Sequence, residues 1–483
     1  MSRPNLMTYI PLALVLLLAP LPIRAAVEVA PYELVALDGS KAQVERGEIT
    51  VPENRASQNG RKIKLGFVRF PALHPTTLPP IVYLAGGPGG SGVDAARLPA
   101  RFAIFQALRE LTSVIALDQR GTGWSNEIPP CPVSMNLPPD QPTSRDSLTR
   151  AVRAAASSCA RFWKEAGVDL AAYNTWESAA DIDALRHALG VNKISLWGIS
   201  YGSHLALAIL KRYPKSVERV ALVGIEGLDE TVKLPALTDA FLGRLQSAIG
   251  GDPESAKAYP DFLGTMRRVH ERLENKPVQV TFKSGAGGDV TLVLGATDVR
   301  AAAAALSSDP SRSRMLPGLY AMMDAGDFSR VAPIVWEVLR KPDAFRFTGM
   351  SEAMDVASGI SKKRLRRFEE QSRVSLLGDT VNFPMPHIGV ALGVPDLGEK
   401  FRAPFRSHVP VLFMSGTLDG RTYPESAHDL IGRFRNGSHL VVENGGHNLF
   451  EASPLIKDVV VAWFRGDPPN VSKLTLTPPI FPH

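Results

Sequence analysis

The sequence predicts a mostly parallel α/β sheet with helices on both faces and a mainly helical insertion between its two halves. Three observations carry this. Short apolar runs, often β-branched, alternate with helix-period segments at both ends of the chain. A long middle block reads almost entirely as helix. A Gly-x-Ser-x-Gly turn sits between one of the apolar runs and the helix after it.

The strands come first. Ile81–Leu84, Val114–Leu117, Ile194–Trp197, Val217–Val223, Val411–Met414 and His439–Val442 are apolar throughout or nearly so, with Ser178–Leu189 and Ser203–Arg212 among the helical segments between them. A strand buried on both faces shows no polar alternation, which is the mark of a parallel sheet covered on each side. Ala42–Val51 and Lys62–Phe70 do alternate, as an antiparallel hairpin at a sheet edge would. From Leu228 to Phe401 the segments Ala236–Ala248, Asp261–Glu274, Asp298–Leu306 and Lys362–Leu377 read as helices, with one hairpin, Val278–Leu294, around a Gly-rich turn. The expected organisation is residues 1–25 as a signal peptide, 26–227 as the first part of the α/β core, 228–401 as the helical cap, and 402–483 as the rest of the core.

The signal-peptide expectation rests on Arg3 without a nearby acid, the apolar run Tyr9–Pro20, and small residues at Ala25 and Ala26. The run is shorter than the roughly 20 residues of a spanning helix, and nothing later is long and apolar enough to cross a membrane. The protein is therefore expected to be exported, periplasmic or secreted, without stable membrane insertion after cleavage. Of 483 residues, 54 are Lys or Arg and 48 Asp or Glu, so the net charge is +6. The charges are spread along the chain, and the one basic cluster, Lys362–Arg367, is followed at once by Glu369 and Glu370. That is a solvated helix face and argues against a nucleic-acid partner. The two cysteines, Cys131 and Cys159, allow a single pairing, and export favours a disulfide. Without paired histidines they make no zinc site, and no metal or other cofactor is expected.

The chemistry centres on Gly198-Ile199-Ser200-Tyr201-Gly202. A Ser on a sharp strand-to-helix turn has its hydroxyl exposed, and the helix N-terminus behind it favours a developing anion. A nucleophilic Ser needs a base and an orienting acid, in this architecture in the order Ser, Asp, His. His447 follows the last apolar strand in the turn Asn444-Gly445-Gly446-His447. Asp419 follows the strand before it, in Ser415-Gly416-Thr417-Leu418-Asp419. His187 and His204 fall within helices and His439 begins a strand. The backbone N–H of Tyr201 and that of Gly87, in the loop Ala85–Gly92 after Ile81–Leu84, are the expected oxyanion donors; Pro88 has no N–H to offer. That loop lacks the Gly-Lys-Ser/Thr ending of a phosphate-binding loop, so a nucleotide reading is poor.

Gly86-Gly87-Pro88-Gly89, Asp118-Gln119-Arg120-Gly121-Thr122-Gly123-Trp124-Ser125 and Gly198–Gly202 together resemble the α/β-hydrolase serine peptidases, that is, the proline iminopeptidases and the secreted tripeptidyl aminopeptidases. The resemblance runs from about Gly47 to Gly202 and again from Val409 to Phe464. It implies the α/β-hydrolase fold with a helical cap, and a reaction in which Ser200, His447 and Asp419 cut short N-terminal fragments from peptides through an acyl-enzyme. Ala85 stands where proline iminopeptidases usually have His, which favours the tripeptidyl aminopeptidase-like branch. The Asp118–Arg120 stretch is expected to shape the floor of the site, or simply to brace its loop by an Asp118–Arg120 pair. A substrate with a free N-terminus needs a carboxylate to hold its amine. Glu226, just after Val217–Val223, is the first candidate, ahead of Asp229, Glu230, Glu369 and Glu370. A carboxylesterase would use the same triad, and a non-catalytic binding protein would lack a use for it. Oligomeric state and the length of the released fragment are not readable from the residues.

Overall fold

The computed structural model describes residues 27–57, 60–285, 287–342 and 344–482. The expected signal peptide, 1–25, lies outside the described residues. Twelve strands occur among them: β1 (Val29–Val35), β2 (Lys41–Pro52), β3 (Lys62–Phe70), β4 (Ile81–Leu84), β5 (Val114–Leu117), β6 (Ile194–Ile199), β7 (Val217–Val223), β8 (Val278–Lys283), β9 (Asp289–Leu294), β10 (Val411–Gly416), β11 (Gly437–Glu443) and β12 (Lys473–Thr475). Ten form one sheet in the order β1-β2-β3-β5-β4-β6-β7-β10-β11-β12, and β8 and β9 form a separate hairpin. The pairs β1/β2, β2/β3 and β3/β5 are antiparallel; every pairing from β5/β4 to β11/β12 is parallel.

The uniformly apolar strands are apolar for the expected reason. Val82, Leu84, Ile115, Leu117, Leu196, Val220, Leu222 and Phe413 enter the core on one face of the sheet. Their neighbours Ile81, Tyr83, Val114, Ala116, Trp197, Ala221, Val223 and Leu412 enter the core on the other. Helices Thr175–Ala188 and Tyr201–Arg212 contribute Ile182, Leu185, Leu205 and Ile209 to the first core. Helices Pro99–Leu108 and Pro454–Arg465 contribute Phe102, Phe105, Ile456 and Val460 to the second.

Between β7 and β10 the chain is mainly helical, and it divides in its packing. Phe241, Leu245, Met266, Val269, Val299, Tyr320 and Val335 belong to a third core of their own, together with Leu292 and Leu294 of the hairpin. Met350, Met354, Ala357, Phe368, Ile388 and Phe401 instead pack into the core on the first face of the sheet. The helix beginning at Lys362 ends at Ser372 rather than Leu377; Leu376 and Leu377 turn into the third core, and Gly378 takes a left-handed φ of 57°. Its charged residues Lys362, Lys363, Arg366, Arg367, Glu369 and Glu370 are exposed.

Cys131 and Cys159 form a disulfide with a Cα–Cα distance of 5.6 Å. It ties the Pro-rich loop after β5 to the helix Arg145–Glu165. Among the described residues no helix is long and apolar enough to cross a membrane.

Candidate active site

Ser200 stands at the end of β6 with φ 57° and ψ −126°, a conformation that costs an L-residue energy and must be held in place by its surroundings. Its N–H donates to the Val223 carbonyl at 3.0 Å, and its own carbonyl accepts from the Ser203 N–H at 2.7 Å and the Ser203 hydroxyl at 2.6 Å. The same hydroxyl oxygen accepts from the Glu226 N–H at 2.8 Å, so Ser203 links the Ser turn to the segment after β7. The turn has no room for side chains at its flanks. A Cβ on Gly202 would lie 2.0 Å from the Leu84 carbonyl oxygen, and one on Gly86 would lie 2.9 Å from the Ser200 Cβ.

That packing brings the loop after β4 onto the Ser turn, since Leu84 pairs with Gly198. Gly87 lines the cavity beside Ser200, with φ +121°, and its N–H makes no hydrogen bond to protein among the described residues. Tyr201 is the first residue of its helix, where a backbone N–H has no intrahelical acceptor. Both expected oxyanion donors therefore flank Ser200.

The Asp118–Ser125 stretch supports this arrangement through three side chains with separate tasks. The Asp118 carboxylate accepts from the Ser91 hydroxyl at 2.7 Å, the Val93 N–H at 3.0 Å and the Trp124 N–H at 2.7 Å, which fixes the end of the Gly-rich loop. Gln119 donates to the Ala85 carbonyl at 3.0 Å. Arg120 is fully buried and pairs with Asp181. The expected Asp118–Arg120 pair is thus not made; backbone and hydroxyl donors surround Asp118, and the guanidinium turns toward the helix Thr175–Ala188.

Asp419 and His447 meet. His447 Nδ1 lies 3.0 Å from Asp419 Oδ2. The carboxylate also accepts from the N–H groups of Arg421 and Thr422 at 2.7 and 2.9 Å and from the Thr422 hydroxyl at 2.7 Å. Burial alone would raise the Asp419 pKa, but the attraction of His447 and these hydrogen bonds outweigh it and hold the carboxyl below its ordinary value. Gly224, at φ +61°, gives the imidazole its space, for a Cβ there would lie 3.1 Å from His447 Cε1. His204 is buried, with Nδ1 against the Gly227 carbonyl at 3.1 Å and Nε2 against the Ser358 hydroxyl at 3.0 Å. It is a structural histidine.

Ser200, His447, Gly87 and Glu226 all line one cavity of about 420 Å³, together with Arg101, Lys233, Ser308, Arg421, Thr422 and Asn448. Glu226 is 5% exposed, and its Oε2 bonds Lys233 Nζ. Its Oε1 has no protein hydrogen bond among the described residues. Asp355, on the helix Met350–Ser358, has its pKa pushed up to about 8 by burial first and then by the charge of Glu226. Asp229 bonds the N–H and hydroxyl of Ser361, Glu230 bonds the Gly227 N–H, and Glu369 and Glu370 are on the solvated helix face. None of these four lines the cavity. Nothing in the sequence points to Ser308 or Lys233, which reach the site through tertiary contact, or to Asn448 and Arg421, which stand beside His447 and in the Asp419 turn. Thr422 had a weak one, a hydroxyl three residues past Asp419, within reach of an Asx turn. Among the described residues no group of three or more His, Cys, Asp or Glu comes together that could hold a metal ion.

Residues 79–273 match the family model described as alpha/beta hydrolase fold, and residues 394–470 match the one described as TAP-like protein. The chain has the α/β-hydrolase fold. Ser200 falls in the first match, and Asp419 and His447 in the second. In sequence the chain is similar to a tripeptidyl aminopeptidase of Streptomyces coelicolor, 27% identical over 190 residues, 37% of this chain and 34% of that protein. It is also similar to the serine protease Hip1 of Mycobacterium tuberculosis, 28% identical over 188 residues, 37% of this chain and 35% of that one. A proline iminopeptidase of Xylella fastidiosa is 30% identical over 146 residues, 30% of this chain and 32% of its own length. The aligned stretch thus spans about a third of the length of each of these relatives.

Proposed function

We propose that the protein is an exported serine aminopeptidase that removes short N-terminal fragments from peptides. The observation that carries this is one cavity holding a Ser on a strained turn, a His tied to a buried Asp, and a carboxylate. Ser200 attacks the peptide carbonyl as His447 takes its proton, and Asp419 fixes the imidazole tautomer and stabilises the imidazolium. The Gly87 and Tyr201 N–H groups receive the oxyanion. His447 then protonates the leaving amine, and water hydrolyses the acyl-enzyme by the same steps in reverse order. The substrate ammonium binds Glu226 through Oε1, the oxygen that Lys233 leaves open. The relatives named as peptidases support the same reading. Export is supported by the pattern of residues 1–25 and by the disulfide, and an N-terminus at Ala26 or Val27 in protein recovered from outside the cytoplasm would check it.

One feature of the cavity favours a carboxylesterase instead: Arg101, Lys233 and Arg421 outnumber Glu226, an unusual lining for a site that attracts ammonium groups. Purified protein and Ser200→Ala should be assayed on Pro-, Ala- and tripeptidyl-anilides, on the same anilides N-acetylated, and on short-chain esters. Ser200-dependent anilide cleavage that acetylation abolishes, with Glu226→Gln raising KM for the free amines at least about tenfold, is the expected result. Ester turnover with no anilide cleavage would overturn the peptidase reading.

A further inference from the structure

The loops that carry Asp419 and His447 do not stand alone; a segment of the helical insertion, Ser307–Pro310, is seated on both. The Ser308 carbonyl accepts the His447 N–H at 3.1 Å. Asp309 grips the next residue twice: its Oδ1 accepts the Asn448 N–H at 3.0 Å, and its Oδ2 accepts the Asn448 side-chain amide at 2.8 Å. Asn448 is held from the other side as well, because its Oδ1 accepts from Arg101 at 3.2 Å, and Arg101 is itself paired with Glu451 at 3.0 Å. The backbone N–H of Asn448 and both ends of its amide are thereby used, and its carbonyl accepts the Glu451 N–H at 3.0 Å.

The fit is as close as backbone allows. A Cβ on Gly446 would lie 2.3 Å from Pro310 Cδ and 2.4 Å from Asp309 Oδ1, and a Cβ on Gly420 would lie 2.2 Å from the Ser307 carbonyl oxygen. Glycine beside the acid and glycine beside the base are thus both required by the same four-residue segment. Asp309 is 138 residues before His447 in the chain, so the contact is tertiary. An imidazole that must accept a proton from Ser200 on one nitrogen while holding Asp419 on the other tolerates little rotation, and a displacement on the order of 1 Å can cost about 100-fold in rate.

We propose that Asp309 is a positioning residue for His447: by clamping Asn448 it sets the backbone that carries the imidazole, which makes the helical insertion a working part of the triad. This rests on the reading of His447 as the base that activates Ser200. It does not depend on whether the substrate is a peptide or an ester.

A fluorophosphonate probe reports Ser200 activation without any choice of substrate. Its saturation kinetics should be measured on wild type, Ser200→Ala, Asp309→Ala, Asp309→Asn, Asn448→Ala and the double variant Asp309→Ala/Asn448→Ala. The expected pattern has four parts. Wild type labels and Ser200→Ala does not. Asp309→Ala lowers the maximal labelling rate about 100-fold with little change in the half-saturating probe concentration. Asp309→Asn, which keeps one oxygen acceptor, recovers part of that rate. The double variant is no slower than the slower single variant, because both residues act through one contact.

A maximal rate unchanged in Asp309→Asn and Asp309→Ala, with only thermal stability reduced, would overturn the proposal and leave Asp309 as a structural anchor. Fully additive losses in the double variant would also overturn it. If Asp309→Ala fails to fold, Asp309→Asn and Asn448→Ala decide, and a wild-type rate in both counts against it. Wild-type protein that does not label at Ser200 would overturn the underlying reading of the site and the proposal with it.

Discussion

Arg120 lays its Nε and Nη2 on the two oxygens of Asp181, at 2.7 and 2.8 Å, with neither side chain more than 2% exposed. The rest of the guanidinium is engaged as well: Nη1 donates to the Glu53 carbonyl at 2.6 Å and the Ala172 carbonyl at 2.7 Å. One side chain therefore joins the loop after β5, the end of β2 and the helix Thr175–Ala188. Burial works against its charge, but Asp181 outweighs the burial and holds the guanidinium above its ordinary pKa.

Truncating one partner of a buried ion pair leaves the other charge without compensation, at a cost of about 3–5 kcal/mol. Arg120→Ala should lose stability on that scale in chemical denaturation. Arg120→Lys should recover little of it, because an ammonium cannot reproduce the two-pronged contact or reach both carbonyls. Asp181→Asn should also be costly, since it leaves the buried Arg120 without its paired charge and takes one from Arg55 as well, which bonds Asp181 at 2.7 Å. A Lys variant as stable as wild type would mean that position 120 needs only a positive charge.

Asp419→Asn separates geometry from charge at the proposed triad. The Arg421 and Thr422 N–H groups can still meet an amide oxygen, so the loop should keep its course. The amide nitrogen would then face His447 Nδ1 as a donor and favour the wrong imidazole tautomer. A loss of about 10⁴ in kcat is expected, with thermal stability changed far less. Circular dichroism and single-turnover kinetics on the same preparation would check it; a variant within tenfold of wild type would show that Thr422, 3.1 Å from His447 Nδ1, orients the ring by itself. The depressed pKa of Asp419 also contributes stability. That contribution is present above the ordinary carboxylate value and lost as pH falls through the lower folded value.

How much of this could be read beforehand follows from where each residue gets its neighbours. The strands β4 and β5 are buried on both faces and wholly apolar, and β6, β7 and β10 are nearly so, broken only by Ser195, by Glu218 and Arg219, and by Ser415. β1 and β12 sit at the two ends of the sheet, with Val35 and Lys473 exposed, and they carry no such run. Ser200, Asp419 and His447 could be picked out because each lies in a turn at a strand end with a glycine within two residues. Asp309 and Ser308 could not, because nothing local distinguishes an Asp-Pro turn in a helical block from any other, and Asn448 gains its role only from the Asp309 that meets it. The division of the insertion into two packing groups was equally hidden. A helical period shows that a face is buried, but the partner it is buried against depends on the whole chain.

Asp355 makes the final prediction. Its carboxyl is pushed up to about 8 by burial and then by the charge of Glu226, against an ordinary 3.8. Between those two values the folded protein binds a proton at Asp355 that the unfolded chain has released, so stability falls as pH rises through this window and levels off above it. Asp355→Asn removes the titration while keeping the shape of the protonated acid. The variant should therefore be close to wild type near pH 4 and gain on it steadily up to about pH 8, by no more than about 1.4 kcal/mol per pH unit. Denaturation midpoints of both proteins at pH 5, 7 and 9 would test this directly. Parallel curves would show that Asp355 ionises normally. Glu226 would then face a charged neighbour throughout.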